Sequence, residues 1–182
     1  MSKKHYIITA ITLGAIAAAS AALIGVTNLV TKDRIYANEQ KKIQSGIVSI
    51  FGDSAFIFDD YDITEYKYAN HVYRVTSSSS TPQYAVRTSG SNMYGKITLL
   101  VGVKKYEEMK EGLFSFGLVS IFVVADEQTY ASTLEDDYVA LVNNDERDYT
   151  DVSCGATYGA KLIRDMVDEV LFVAESELIE EE

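Results

Sequence analysis

The hydrophobic pattern of the chain begins with one long apolar run. Residues 6–30 contain no Asp, Glu, Lys or Arg, and a helix of that length spans the hydrocarbon core of a bilayer. Lys3 and Lys4 precede the run, and further lysines follow it. The pattern predicts an uncleaved membrane anchor, residues 1–31, with its N-terminus in the cytoplasm. Small residues around Ser20 leave a cleaved signal peptide as the alternative.

Helical spacing of apolar residues continues beyond the anchor. Between residues 32 and 53 the apolar positions recur mostly every three or four residues, which predicts an amphipathic connecting helix that packs one face on the domain. These positions are Ile35, Ile43, Ile47, Val48, Ile50 and Phe51. Gly52 and Asp53 form a turn signal at its end. A second helical pattern covers 156–174, and an acidic tail, 175–182, follows it.

The middle of the chain has the pattern of a β-sheet. Three segments of β-type composition, 71–76, 83–88 and 94–103, are separated by turn residues, and consecutive pairing into a meander is the simplest arrangement. A fourth run, 113–125, is rich in β-branched and aromatic residues, as expected for a strand buried on both faces. Residues 54–70 lack a clear period and are predicted as loop with a short strand.

A short helix is predicted between the sheet and the last helix. Ser132 and Glu135 have the spacing of a capping box, and a helix to about Val142 follows from it. The pattern as a whole predicts an α+β fold. An N-terminal transmembrane helix leads into one domain, residues 54–174, with an antiparallel sheet and packed helices.

Composition narrows the classes of function. The chain has 182 residues and a formal net charge of −11, which suits one domain plus an anchor. An acidic surface repels nucleic-acid phosphates, so no nucleic-acid partner is expected. Cys154 is the single cysteine and there are two histidines. An intramolecular disulfide and a Cys/His zinc cluster are therefore excluded, and no metal site is predicted.

The segment 151–159, DVSCGATYG, places small residues and hydroxyls at the predicted start of the last helix. A helix N-terminus presents unpaired N–H groups and a partial positive charge, so it favours a phosphate near Thr157. The other interpretation is a capped helix start, with Ser153 or Thr157 as N-cap and Gly155 for tight packing.

This segment also resembles a known family motif. Asp151-Val-Ser-Cys-Gly-Ala-Thr157 is similar to the Asp-x-x-(Ser/Thr)-Gly-Ala-Thr signature of FMN-binding domains of the RnfG and NqrC type, the flavin-carrying subunits of ion-translocating redox complexes. The apolar run resembles the family's anchor, and 94–103 resembles its Gly-x-Ile strand before the flavin pocket. Cys154 stands where the family has Ser or Thr, and the family's Glu-Thr-Pro-Gly-Leu-Gly loop is present in altered form at 127–134.

The resemblance implies an FMN phosphate esterified to the Thr157 hydroxyl by a separate flavin transferase that uses FAD. It also implies integral membrane subunits of a redox complex as partners, and a domain on the extracytoplasmic side of the cell membrane. The chain is then an electron-transfer subunit rather than an autonomous enzyme. The implied FMN-binding residues are Asp151, Ser153, Cys154, Gly155, Ala156, Thr157 and Tyr158 in the motif and Glu127, Thr129, Thr133 and Leu134 in the loop. Tyr130 and Tyr158 are candidates for stacking on the flavin.

Three other functions stay open on the sequence. Cys154 and the altered loop motivate a membrane-tethered interaction domain without flavin. A standalone extracytoplasmic electron carrier is a close variant of the main hypothesis. A flavin enzyme with its own substrate is the third, although no cluster of general acids or bases in the sequence argues for it.

Overall fold

The computed structural model describes residues 3–77, 82–106, 115–144, 149–150 and 154–178. Its long helices are α1 (Lys3–Phe51) and α4 (Thr157–Glu177). The strands are β1 (Phe56–Asp62), β2 (Ala69–Thr76), β3 (Gln83–Asn92), β4 (Gly95–Lys105) and β5 (Phe116–Asp126). Between β5 and α4 the chain forms α2 (Ala131–Thr133), a π-helical turn (Leu134–Val139) and α3 (Ala140–Asn143).

The chain divides into two compact units, residues 1–41 and 42–182. The first unit contains the apolar part of α1. Its most apolar 18-residue window has a mean hydropathy of 2.2 and no buried residue. By length and composition this helix is able to cross a membrane, as the sequence predicts.

The second unit is built on a five-stranded antiparallel sheet with the order β1-β2-β3-β4-β5. Each strand pairs with the next along the chain, so the predicted meander is confirmed. Strand β1 occupies part of the segment predicted as loop with a short strand. The α+β fold with a leading apolar helix is also confirmed.

The sheet is covered on both faces by helices. Side chains of one face, Ile97, Leu99 and Val101 of β4 among them, pack in one core with α4. The opposite face contributes Leu100 to a second core with Ile43 and Ile47 of α1. Both faces of β4 are therefore buried. The sequence predicts the β5 run as a strand buried on both faces. Strand β5 contributes Phe116 and Ile121 to the first core and Val124 to the second, although most of its positions are only half-buried because it lies at the sheet edge.

Two glycines allow α1 to pack directly on the sheet. A Cβ atom on Gly46 would lie 2.7 Å from Cδ1 of Phe122 and 2.9 Å from Cδ2 of Leu100. A Cβ atom on Gly102 of β4 would collide with Cγ2 of Ile50. Larger side chains at these positions would separate the helix from the strands, because protein interiors are close-packed.

Side chains from the helices form hydrogen bonds with backbone groups at the outer edge of β5. The Asn143 side chain accepts a hydrogen bond from the Ile121 N–H at 2.8 Å and donates one to the Ile121 carbonyl at 2.7 Å, so it pairs like a strand residue. The Phe116 N–H donates to Oε1 of Glu175 at 3.0 Å. Lys42 donates from Nζ to the Val124 carbonyl at 2.9 Å. These bonds protect an edge that would otherwise offer unpaired backbone groups to another strand.

Two details of the helices differ from the sequence predictions. The predicted capping box is wrong, because Ser132 lies inside α2 and the residue before that helix, Tyr130, makes no side-chain capping bond. Helix α4 continues past Ala174 to Glu177, and Leu178 is buried. Glu175 also bonds to β5, so the first residues of the predicted acidic tail pack on the domain.

Candidate functional site

Helix α4 begins at Thr157, and the residue before it cannot cap it. Ala156 precedes the helix with φ −98° and ψ 56°, and it has no side-chain oxygen to accept a bond from the first turn. The first helical bond runs from the Ala160 N–H to the Ala156 carbonyl at 3.0 Å. Thr157 is thus the first helical residue and not the predicted N-cap, while Ser153 lies outside the described residues. Among the described residues no side chain caps the first turn of α4, so its N–H groups are open to a ligand on that side.

A cavity of about 230 Å³ lies at this helix start. It is lined by Tyr94, Gln128, Tyr130, Gly155, Ala156, Thr157, Tyr158 and Gly159. Of the described residues that line it, none carries a charge. The hydroxyl-bearing Thr157 is exposed. The helix end is therefore the main source of positive potential in the cavity lining, through its N–H groups and its macrodipole.

Three tyrosine rings surround the cavity. The ring of Tyr94 lies 5.7 Å from that of Tyr130 in an edge-to-face arrangement and 5.8 Å from that of Tyr158 at a tilted angle. Tyr130 is 52% exposed and Tyr158 is 59% exposed. Exposed aromatic rings beside a cavity provide flat apolar surface on which a planar ligand can stack.

Pairing of β4 with β5 brings the cavity's walls together from distant parts of the chain. The Glu127 N–H donates to the Lys96 carbonyl at 2.8 Å, and the Thr129 N–H donates to the Tyr94 carbonyl at 3.0 Å. Gly95 has a φ of +139°, and a Cβ atom there would collide with the Glu127 carbonyl. Glycine at position 95 therefore allows the two segments to approach closely.

Gln128 is the polar side chain buried in this wall. It is 7% exposed, and among the described residues its Nε2 has no hydrogen-bond partner. A Cβ atom on Gly159, in the first turn of α4, would lie 2.8 Å from Oε1 of Gln128. The carboxamide thus lies against the same helix end as the exposed threonine hydroxyl.

Asp126 holds the backbone of Gln128. Its Oδ1 accepts the Gln128 N–H at 2.8 Å, and its Oδ2 is buried without a partner among the described residues. Burial raises the pKa of this carboxyl, and the bond from Gln128 opposes the rise in part. The native protein therefore binds a proton at Asp126 more tightly than the unfolded chain does.

The raised pKa of Asp126 predicts a pH-dependent effect of Asp126→Asn. A folded-state pKa above the unfolded value contributes stability that is fully present below the unfolded pKa and is lost as pH rises through the folded pKa. We expect the substitution to become progressively more favourable between acid and neutral pH, because asparagine keeps the Oδ1 acceptor and carries no charge. Thermal unfolding of the full chain in detergent, with and without the substitution, measures this. If the difference in unfolding temperature between the two proteins were the same at every pH, this expectation would be contradicted.

The structure brings together part of the predicted FMN-binding set. Thr157, Ala156, Gly155 and Tyr158 line the cavity. The half-buried thiol of Cys154 directly precedes this lining segment. Asp151 and Ser153 lie outside the described residues.

The predicted loop residues lie beside the cavity rather than in its lining. Cγ2 of Thr133 is 3.8 Å from the position of a Cβ atom on Gly155. Leu134 is fully buried and packs under Gly159. Glu127 and Thr129 are exposed, and their backbone N–H groups bond to the start of β4. The sequence reasoning did not select Tyr94, Gln128 or Gly159, although Gly159 completes the small-residue segment that drew attention to Thr157.

A second cavity, of about 300 Å³, has a different chemistry. It is lined by Lys67, Tyr68, Ser89, Gly90, Ser91 and Lys96. Lys67 donates from Nζ to the Tyr68 hydroxyl at 2.5 Å and lies over the same ring, 4.3 Å from its centroid. The two lysines favour anions there, but this cavity contains no residue of the threonine motif.

Comparison with known proteins finds a similarity in the N-terminal part of the chain. Residues 1–49 match the family model described as the RnfG N-terminal region. The anchor is similar to an RnfG N-terminal region. Over these residues the match agrees with the resemblance found in the sequence. The matched residues end before β1, so the sheet and the cavity lie outside the RnfG match. No curated protein matches the chain.

Proposed function

We propose that this chain is a membrane-anchored electron-transfer protein that carries FMN as a phosphoester on Thr157. The RnfG match supports a subunit of an Rnf-type electron transport complex. One observation carries the cofactor proposal: the exposed Thr157 hydroxyl lies at the uncapped N-terminus of α4, in a cavity surrounded by tyrosine rings. The proposed partners are integral membrane subunits of that complex, and the proposed location of the domain is extracytoplasmic.

The cavity's chemistry fits the phosphate of FMN. The first-turn N–H groups and the macrodipole of α4 favour an anion, and Nε2 of Gln128, which has no partner among the described residues, is a further donor. Because no described lining residue is cationic, phosphate held only by these groups would bind weakly. A covalent ester solves this problem, since it retains the group and converts a phosphate dianion into a diester with one negative charge.

The cavity's size and rings fit the remainder of the cofactor. Ligand cavities usually measure about 300–1,000 Å³, so the 230 Å³ here suits the phosphate end with the flavin ring extending outward. Tyr130 and Tyr158 offer exposed rings at that position. Bound FMN supplies one- and two-electron redox chemistry, while the protein provides position and electrostatics. In this proposal the tyrosines stack on the flavin and exclude water.

Attachment requires help from another protein. The Thr157 oxygen forms a bond to the flavin-side phosphorus of FAD, the pyrophosphate P–O bond breaks, and AMP leaves. A threonine hydroxyl needs a base to take its proton, and the described lining contains neither carboxylate nor imidazole. We therefore assign the base to the flavin transferase, to which Thr157 must be accessible. Its position at the exposed first turn of α4 meets this requirement.

Intact-mass spectrometry tests the proposal. Full-length protein produced with a flavin transferase should gain the mass of FMN less one water and should keep its yellow colour after denaturation. The same protein produced without the transferase is the control and should have its unmodified mass. A colourless, unmodified product of the co-production would reject the flavin assignment and would leave the tethered interaction domain as the better description.

A further inference from the structure

We propose that Gln128 is the side chain that binds the phosphoester, with its Nε2 donating to a phosphate oxygen. The inference rests on the proposed flavin linkage at Thr157. It adds a phosphate-binding residue from the β5–α2 connection to a cradle that otherwise consists of helix backbone. The juxtaposition that carries it is a buried carboxamide, whose Nε2 has no partner among the described residues, against the first turn of α4.

The amide nitrogen of Gln128 is buried, so its lack of a hydrogen bond within the described part of the chain costs free energy. Gln128 is 7% exposed, and its Nε2 has no partner among the described residues. A buried polar group without a partner costs about 1–3 kcal/mol, and the great majority of such groups in proteins are satisfied. A ligand oxygen in the adjoining cavity would remove this cost, because the same residue lines that cavity.

Two hydrogen bonds hold the main chain at Gln128, and the first turn of α4 packs against its carboxamide. The Gln128 N–H donates to Oδ1 of Asp126 at 2.8 Å, and its carbonyl accepts a bond from the Ala131 N–H at 3.3 Å. Gly159 provides the space on the other side, since a Cβ atom there would collide with Leu134 and approach Oε1 of Gln128. A buried side chain on a held main chain loses less conformational entropy on binding than an exposed one.

The phosphate is the acceptor that this position favours. The carboxamide lies against Gly159 in the first turn of α4, and Thr157 lines the same cavity. Hydrogen bonds to a charged oxygen are roughly twice as strong as those between neutral groups. Gln128 supplies such bonds without a positive charge, which suits a diester that has only one negative charge to stabilise.

The test uses ³¹P NMR of the flavinylated full-length protein in detergent. The resonance of the phosphodiester reports donors at its oxygens, and the flavin absorption spectrum reports contacts of the ring. We expect Gln128→Leu to move the ³¹P resonance and to leave the absorption bands unchanged. Gln128→Glu keeps the side chain's size but adds a like charge, so the flavinylated fraction should fall severalfold. Gln44 is an exposed glutamine of α1. The variant Gln44→Leu is therefore the matched control and should change neither signal.

Different results would contradict the role of Gln128 and the flavin linkage at Thr157. An unmoved ³¹P resonance in Gln128→Leu overturns the inference, and altered absorption bands in the same variant place Gln128 at the ring instead. Thermal unfolding shows whether Gln128→Leu folds. If it does not fold, the flavinylated fraction of Gln128→Glu tests the role of Gln128 instead. If the wild-type protein carries no flavin, titration of the unmodified protein with inorganic phosphate tests Gln128 directly. Its side-chain amide signal should then shift, and an unshifted signal rejects the role.

Discussion

Replacing Thr157 with valine is expected to abolish the covalent flavin while leaving the fold intact. Valine has nearly the shape of threonine but no hydroxyl, so the ester cannot form. The side chain is exposed at the first position of α4, where substitutions usually change stability by no more than about 0.5 kcal/mol. Co-production of Thr157→Val with the flavin transferase should yield colourless protein of unmodified mass.

The control for this variant is Thr76→Val. Thr76 is also an exposed threonine and ends β2, far along the chain from the motif. It should be flavinylated to the same extent as the wild-type protein, and both variants should unfold at the wild-type temperature. Persistent flavin in Thr157→Val would place the linkage on another residue and would remove the main argument for the cavity as the cofactor site.

The sequence predicts those elements whose signal is local. Helix α4 has a regular apolar period, and strands β2 to β4 are separated by turn residues, so their approximate positions follow from pattern alone. Strand β1 does not, because five of its seven positions are exposed and none is fully buried. Neither alternation nor a continuous apolar run then marks it, and its pairing with β2 provides the structure that its pattern lacks.

Burial depends on the order of strands, which is a non-local property. The β4 and β5 segments have similar apolar composition, yet β4 lies between two strands and β5 lies at the edge. The lining of the cavity also depends on contacts between distant parts of the chain, which a sequence pattern does not reveal. Thr157 and its neighbours are contiguous and could be selected as a motif, whereas Tyr94 and Gln128 join them only because Ile97 pairs with Asp126 across β4 and β5.

Replacing Ile47 with alanine should destabilise the domain by about 2–5 kcal/mol, the usual range for removing a buried isoleucine side chain to Cβ. Ile47 is 0% exposed and belongs to the core between α1 and the sheet. The sequence predicts that the connecting helix, 32–53, packs one face on the domain. In the structure only its later residues lie in the second unit, which begins at Lys42.

Ile35→Ala is the matched control, since it removes the same atoms from the same helix. Ile35 is 63% exposed and lies in the first unit, so its loss should change stability by no more than about 0.5 kcal/mol. Chemical unfolding of both full-length variants in detergent, followed by tyrosine fluorescence, measures the difference. Equal losses would show that Ile35 is also buried against protein. A negligible loss for Ile47→Ala would show that the domain does not need the end of α1, because the second core would then contribute little to its stability.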